Sequence, residues 1–72
     1  MIQYLPYEES MCTDECGAYI TFGIVAYDGS CREIAAVPDV STSEPFVRSL
    51  CDTFTKNQVD PIHLYEVIED AL

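Results

Sequence analysis

The stretch Ala18 to Tyr27 narrows the fold more than any other part of the chain. Its side chains alternate, with Ile20, Phe22, Ile24 and Ala26 on one side and Tyr19, Thr21, Gly23, Val25 and Tyr27 on the other. That two-residue period is the signature of a β-strand. Asp28-Gly29 follows as a turn signal, and Cys31 to Val37 returns, so a β-hairpin is expected near residues 18–37. A two-residue turn would set Glu33 beside Ile24. A three-residue Asp28-Gly29-Ser30 loop aligns Ile34 and Ala36 with Ile20, Phe22 and Ile24 instead. Burying an unpaired carboxylate is costly, so the three-residue loop is the expectation.

The flanks are read in the same way. Ile2 to Glu9 is strand-like, and Pro6 confines it to a sheet edge. Residues 10–17 read as a polar acidic loop, and Pro38-Asp39 as the end of the sheet. Ser43 then suits the N-cap of a helix with Pro45 in its first turn. Phe46, Val47, Leu50, Cys51 and Phe54 make its apolar stripe. Asp60-Pro61 starts a second helix, with a stripe of Leu64, Val67, Ile68 and Ala71. The expected fold is therefore α+β. A small antiparallel sheet of two to three strands packs against a C-terminal two-helix hairpin, at about residues 43–57 and 61–72.

Residues 1–72 are read as one small domain, because a chain this short has room for no second core. Apolar residues make up 49% of it, enough to fold. Thirteen Asp and Glu face three Lys and Arg, for a net charge of −10. Nucleic acids and anionic membranes are bound through Lys and Arg, so neither is an expected direct partner. A protein with a basic surface is. No segment reads as a signal peptide or membrane span, and the expected location is the cytoplasm, with the cysteines as reduced thiols.

Four constellations are candidates for function. His63, Glu66, Glu69 and Asp70 gather on the polar side of the last helix, where a row of carboxylates suits Lys or Arg on a partner. Cys12, Cys16 and Cys31 could supply thiolates to zinc, with Cys51 or His63 as a fourth ligand. The spacing departs from paired C-x2-C knuckles, and Cys51 sits on a core stripe, so no metal or other cofactor is assigned. No catalytic residues are assigned either, since the chain has one His, no Gly-rich phosphate loop and no nucleophile elbow. The fourth constellation is Tyr19, Val25 and Tyr27, with Tyr4 or Tyr7 from the first strand joining them. It is an aromatic face that either serves a homodimer or is covered by the N-terminal segment.

Phe22-Gly23-Ile24, Pro38-Asp39-Val40-Ser41, Pro61-Ile62-His63-Leu64 and Val67-Ile68-Glu69-Asp70 are similar to motifs of a family of short bacterial proteins. The resemblance spans residues 19 to 72. The family, found mainly in anaerobic Firmicutes, is known as a domain of unknown function. It implies a small intracellular bacterial protein and assigns no residue a role. The Cys12-x3-Cys16 segment falls outside the pattern. On the residues alone, the expected function is a non-enzymatic acidic interaction module that docks a basic protein surface through its last helix. Nucleic-acid mimicry is one form of that reading. The rival readings are a metal-binding protein using cysteine thiolates and a structural homo-oligomer.

Overall fold

The computed structural model describes residues 1–15 and 17–72. Three antiparallel strands, β1 (Gln3–Thr13), β2 (Gly17–Tyr27) and β3 (Glu33–Ser41), form one sheet in the order β1-β2-β3. Helix α1 (Glu44–Lys56) follows. A 3-10 turn at Pro61–His63 then leads into helix α2 (Leu64–Ala71). The architecture is α+β, with the helices packed on the sheet. No helix among the described residues is long and apolar enough to cross a membrane.

The core lies between one sheet face and the helices. Tyr4, Ile24, Ala26 and Val37 from the strands meet Val47, Cys51 and Phe54 of α1 and Leu64 and Ile68 of α2. Both helical stripes read from the sequence thus supply core residues. Ser43 occupies the N-cap of α1, with Pro45 in the first turn, where its missing N–H costs nothing. Asp60 caps the 3-10 turn by accepting a hydrogen bond from the Ile62 N–H at 3.1 Å.

The strands depart from the sequence expectation in three places. Most of the described residues of 10–17 are strand and not loop, because β1 continues through Thr13 and β2 begins at Gly17; Cys16 lies outside the described residues. Register runs unbroken from Gln3↔Tyr27 to Thr13↔Gly17, leaving Asp14 and Glu15 as the described turn. Gly17, at φ 69°, takes the left-handed conformation that lets the chain reverse there. Polarity misled the reading, since two-sided exposure at the end of a hairpin removes the apolar alternation by which a strand is recognised.

The β2–β3 register is the second correction. Tyr27 pairs with Glu33 and Ala26 with Ala35, so Asp28 to Arg32 form a longer connection than the expected three-residue loop. Asp28 builds it. Its carboxylate accepts from the N–H groups of Ser30 (2.8 Å) and Arg32 (3.1 Å), and Cys31 adopts φ 61°. A bulge at Ile34 then turns Ala35 and Val37, rather than Ile34 and Ala36, toward the core. Glu33 still escapes burial, by a different route from the one anticipated. Third, Pro38-Asp39 does not end the sheet. It kinks β3, with Asp39 at φ 52°, and pairing resumes at Phe22↔Ser41.

That kink brings backbone close to Gly23. A Cβ there would lie 2.6 Å from the Val37 carbonyl oxygen and 2.7 Å from the Tyr7 ring. The ring can shift but the strand cannot without breaking the ladder. Gly23→Ala is therefore expected to destabilise the fold by about 1–3 kcal/mol. Gly29→Ala, whose Cβ meets nothing closer than 3.7 Å, should change stability by less than about 1 kcal/mol. Urea unfolding of the two variants checks the contrast.

Candidate functional site

The polar side of the C-terminal segment is built by the two residues that bury its opposite side. Leu64 and Ile68 are 2% and 3% exposed, which forces His63, Glu66, Glu69 and Asp70 outward. All four are exposed. His63 sits at the junction of the 3-10 turn and α2, with Nδ1 3.6 Å from Glu66 Oε2. That separation is beyond hydrogen-bond reach and leaves an exposed i,i+3 pair of small energetic value. Across the described residues the other ion pair is Glu44–Arg48, at 2.7 Å on α1. Its hydrogen bond holds the Arg48 guanidinium even more firmly protonated than usual. Among the described residues no cation pairs with Glu69 or Asp70, which leaves their charge open to a partner.

The same segment carries exposed apolar side chains outside the stripe of Leu64, Val67, Ile68 and Ala71. Ile62 is 80%, Tyr65 63% and Leu72 71% exposed. With Glu69 they fall at steps of three and four residues, so they share a stripe beside the carboxylates. The signal was present in the sequence. It was hidden because Leu64, Val67 and Ile68 already account for one apolar stripe, and a second has no place in a helix lying on a core.

The aromatic face is only partly as expected. β1 lies beside β2 and does not fold over it. Tyr4 does not join the face. It points into the core, where its ring meets Phe54 edge-on at 5.8 Å and its hydroxyl donates to the Val59 carbonyl. Tyr7 does join, across from Gly23. Tyr19 and Tyr27 are half-buried, and Val25 is buried by its neighbours. An open groove of about 340 Å³ lies there between Tyr7, Val25, Tyr27, Glu33 and Ala36. Burial, together with the charges of Glu9 and Glu33 and the nearby Tyr65, pushes the Tyr7 phenol above its ordinary range.

Further along the same face Thr21 is fully buried and donates to Asp39 Oδ1 at 2.7 Å. Glu9, paired with Thr21 across the ladder, has one carboxylate oxygen buried without a hydrogen-bond partner. Neither acid could be placed from the sequence. Glu9 depended on a strand extending past residue 9, and Asp39 on a kink read as the sheet's end.

The cysteines are far apart. Cys12 pairs with Ala18 near the hairpin tip, whereas Cys31 lies beyond Tyr27 at the opposite end of β2. Nine residues of strand separate these ends, roughly 30 Å, too far for one metal ion. Cys16 lies outside the described residues. Among the described residues no group of three or more His, Cys, Asp or Glu is arranged to hold a metal.

Cys51 is 1% exposed in the core, and burial pushes its thiol up to about 12, with Asp52 adding to the shift and Arg48 opposing it. A raised folded pKa means a stabilising contribution fully present below the ordinary thiol value and lost as pH rises through about 12. Stability should therefore fall between pH 9 and 12, and Cys51→Ala should flatten that fall. Iodoacetamide at pH 8 is expected to label the exposed Cys12 and Cys31 and spare Cys51 until the protein is unfolded. Alkaline unfolding curves and peptide mapping check these outcomes.

A family model described as a family of unknown function (DUF6514) matches residues 2–72. The match covers the N-terminal strand and the Cys12-x3-Cys16 segment as well as the motifs of residues 19 to 72. No curated protein and no solved structure matches the chain.

Proposed function

The chain belongs to the DUF6514 family of unknown function, and for it we propose a non-enzymatic role as an acidic module that docks a basic protein surface. The observation that carries this reading is the composition of the C-terminal segment's outer side. Ile62, Tyr65 and Leu72 stand exposed among Glu66, Glu69 and Asp70, so apolar anchors and carboxylates share one surface. Apolar side chains that lose water at a contact supply affinity, while surrounding charges choose the partner and speed encounter. His63 lies on the same side and adds a donor.

The net charge of −10 supports the choice of partner, since a basic surface is attracted to it and polyanions are repelled. A nucleic-acid-binding protein whose basic groove accepts the carboxylates in place of phosphates is one form of this partner. The same reading puts the protein in the bacterial cytoplasm, with its thiols reduced.

A photo-cross-linker placed at Tyr65 tests the proposal. The expected product is a cross-link to a Lys- or Arg-rich surface of one partner, reduced at least tenfold in the Glu66→Lys/Asp70→Lys double variant. Unchanged capture by that variant would sink the acidic-helix reading. Competition of the wild-type cross-link by added DNA identifies the mimicry form.

A further inference from the structure

The backbone of β1 divides into a closed half and an open half. At the closed end, Ile2 and Tyr4 direct their N–H and C=O groups away from β2, and α1 and the turn after it satisfy them. The Ile2 N–H donates to Gln58 Oε1 at 3.0 Å, and Gln58 Nε2 donates to the Ile2 carbonyl at 3.0 Å. The Tyr4 N–H donates to Thr55 Oγ1 at 2.9 Å. Pro6 is the next outward position and has no N–H to offer.

Beyond Pro6 the covering stops. Backbone direction alternates along a strand, and the β1–β2 register is unbroken from Gln3 to Thr13. Glu8, Ser10 and Cys12 therefore point outward as Ile2 and Tyr4 do. All three are exposed. Their outward N–H and C=O groups form a regular row over five residues of strand. The other sheet edge offers no such row, because β3 carries Pro38, a kink at Asp39 and two register shifts.

Charge then selects the occupant. Residues 1–31 contain Glu8, Glu9, Asp14, Glu15 and Asp28 and no Lys or Arg. Two copies pairing edge to edge would bring the acids of both hairpins together, which disfavours a second copy of this chain. A strand bearing Lys or Arg meets no such barrier. Beside the edge, an open groove of about 210 Å³ lined by Pro6, Glu8, Phe22, Glu44 and Arg48 leaves room for the end of such a segment.

We propose that the outer edge of β1 from Glu8 to Cys12 binds an extended, Lys- or Arg-bearing segment of a partner protein, which adds to the sheet as a fourth strand. The outward N–H groups of Glu8, Ser10 and Cys12 donate to its carbonyls, and its N–H groups donate to theirs. Its basic side chains meet Glu8 on one face and Glu9 on the other. The inference rests on the basic-partner reading above but uses a surface separate from the C-terminal helix.

The test uses the whole protein and a synthetic octapeptide of alternating lysine and threonine, followed by amide hydrogen exchange in NMR. At saturating peptide, exchange at Glu8, Ser10 and Cys12 should slow at least tenfold, with no comparable change along β3. The same peptide N-methylated at alternate residues keeps its charge but cannot pair as a strand, and should give no protection. Ser10→Pro, which removes an outward donor and spares the β1–β2 ladder, should weaken binding. The N-methylated peptide requires the protein to tolerate no substitution. Binding of both peptides without protection at Glu8, Ser10 and Cys12 would overturn the strand-addition mode and leave the basic-partner reading standing. Protection that rises with protein concentration before peptide is added would assign the edge to a second copy and overturn it as well. No binding of either peptide would overturn the strand-addition proposal, while the docking role of the C-terminal helix stands or falls on its own cross-linking test.

Discussion

The first strand and the end of α1 meet at Tyr4, and the rest of the fold depends on that meeting. Its ring packs edge-on against Phe54, its backbone N–H donates to Thr55, and its hydroxyl donates to the carbonyl of Val59. One residue thus joins β1, the last turns of α1 and the connection to α2. The contacts span more than fifty residues of sequence, so they close a long loop. A tyrosine suits the position because the ring buries apolar area while the hydroxyl satisfies a carbonyl that would otherwise be left dry. Its buried phenol, with Asp60 nearby, is pushed above the ordinary range, so the neutral donor is the form the fold retains.

With β1 fixed there, the helices cover one end of the sheet and leave the other bare. Val47, Cys51, Phe54, Leu64 and Ile68 pack over Tyr4, Ile24, Ala26 and Val37. Ile20 lies on the same sheet face but is 47% exposed, because the hairpin runs on past the helices. The long dimension of the molecule is 40 Å, against 24 and 20 Å in the other two. A domain of this size cannot bury both a full core and a hairpin of two eleven-residue strands. The bare end is also where the acids of the N-terminal half concentrate, and like charge disfavours pairing of an uncovered edge with its own kind.

The core was legible in the sequence wherever burial imposes a period. The helical stripes, the Ser43 and Asp60 cap positions and the alternation of β2 depend on local geometry and appear as expected, except that Ala71 at the end of the second stripe is exposed and Ser43 caps without a side-chain hydrogen bond. Register and strand length were not legible, because each is settled by contacts between distant residues. Ile34 and Ala35 are both apolar, and the Asp28-centred connection decides that the smaller one turns inward. Tyr4 and Tyr7 look interchangeable in sequence, yet their odd separation sends them to opposite faces. For the candidate surface, the exposure of the C-terminal carboxylates followed from helix geometry. The edge of β1 did not, since it exists only because Thr55 and Gln58 reach part of the strand and not the rest.

That partial reach explains why stability and recognition can be separated in so small a domain. The groups that close the edge at Ile2 and Tyr4 belong to the core-bearing half, and removing them would loosen the fold itself. Among the described residues, the outward groups of Glu8, Ser10 and Cys12 tie down no other element. An exposed backbone group exchanges hydrogen bonds to solvent for a partner's at little net cost, since one set of hydrogen bonds replaces another. Affinity at such an edge must then come from what the exchange brings with it, namely charge neutralisation along an acidic strand and burial of the partner's side chains. Pro6 marks the division, because a residue without an N–H is neutral to the core and fatal to a continuous ladder. Placed there, it lets one strand serve the fold on one side and recognition on the other.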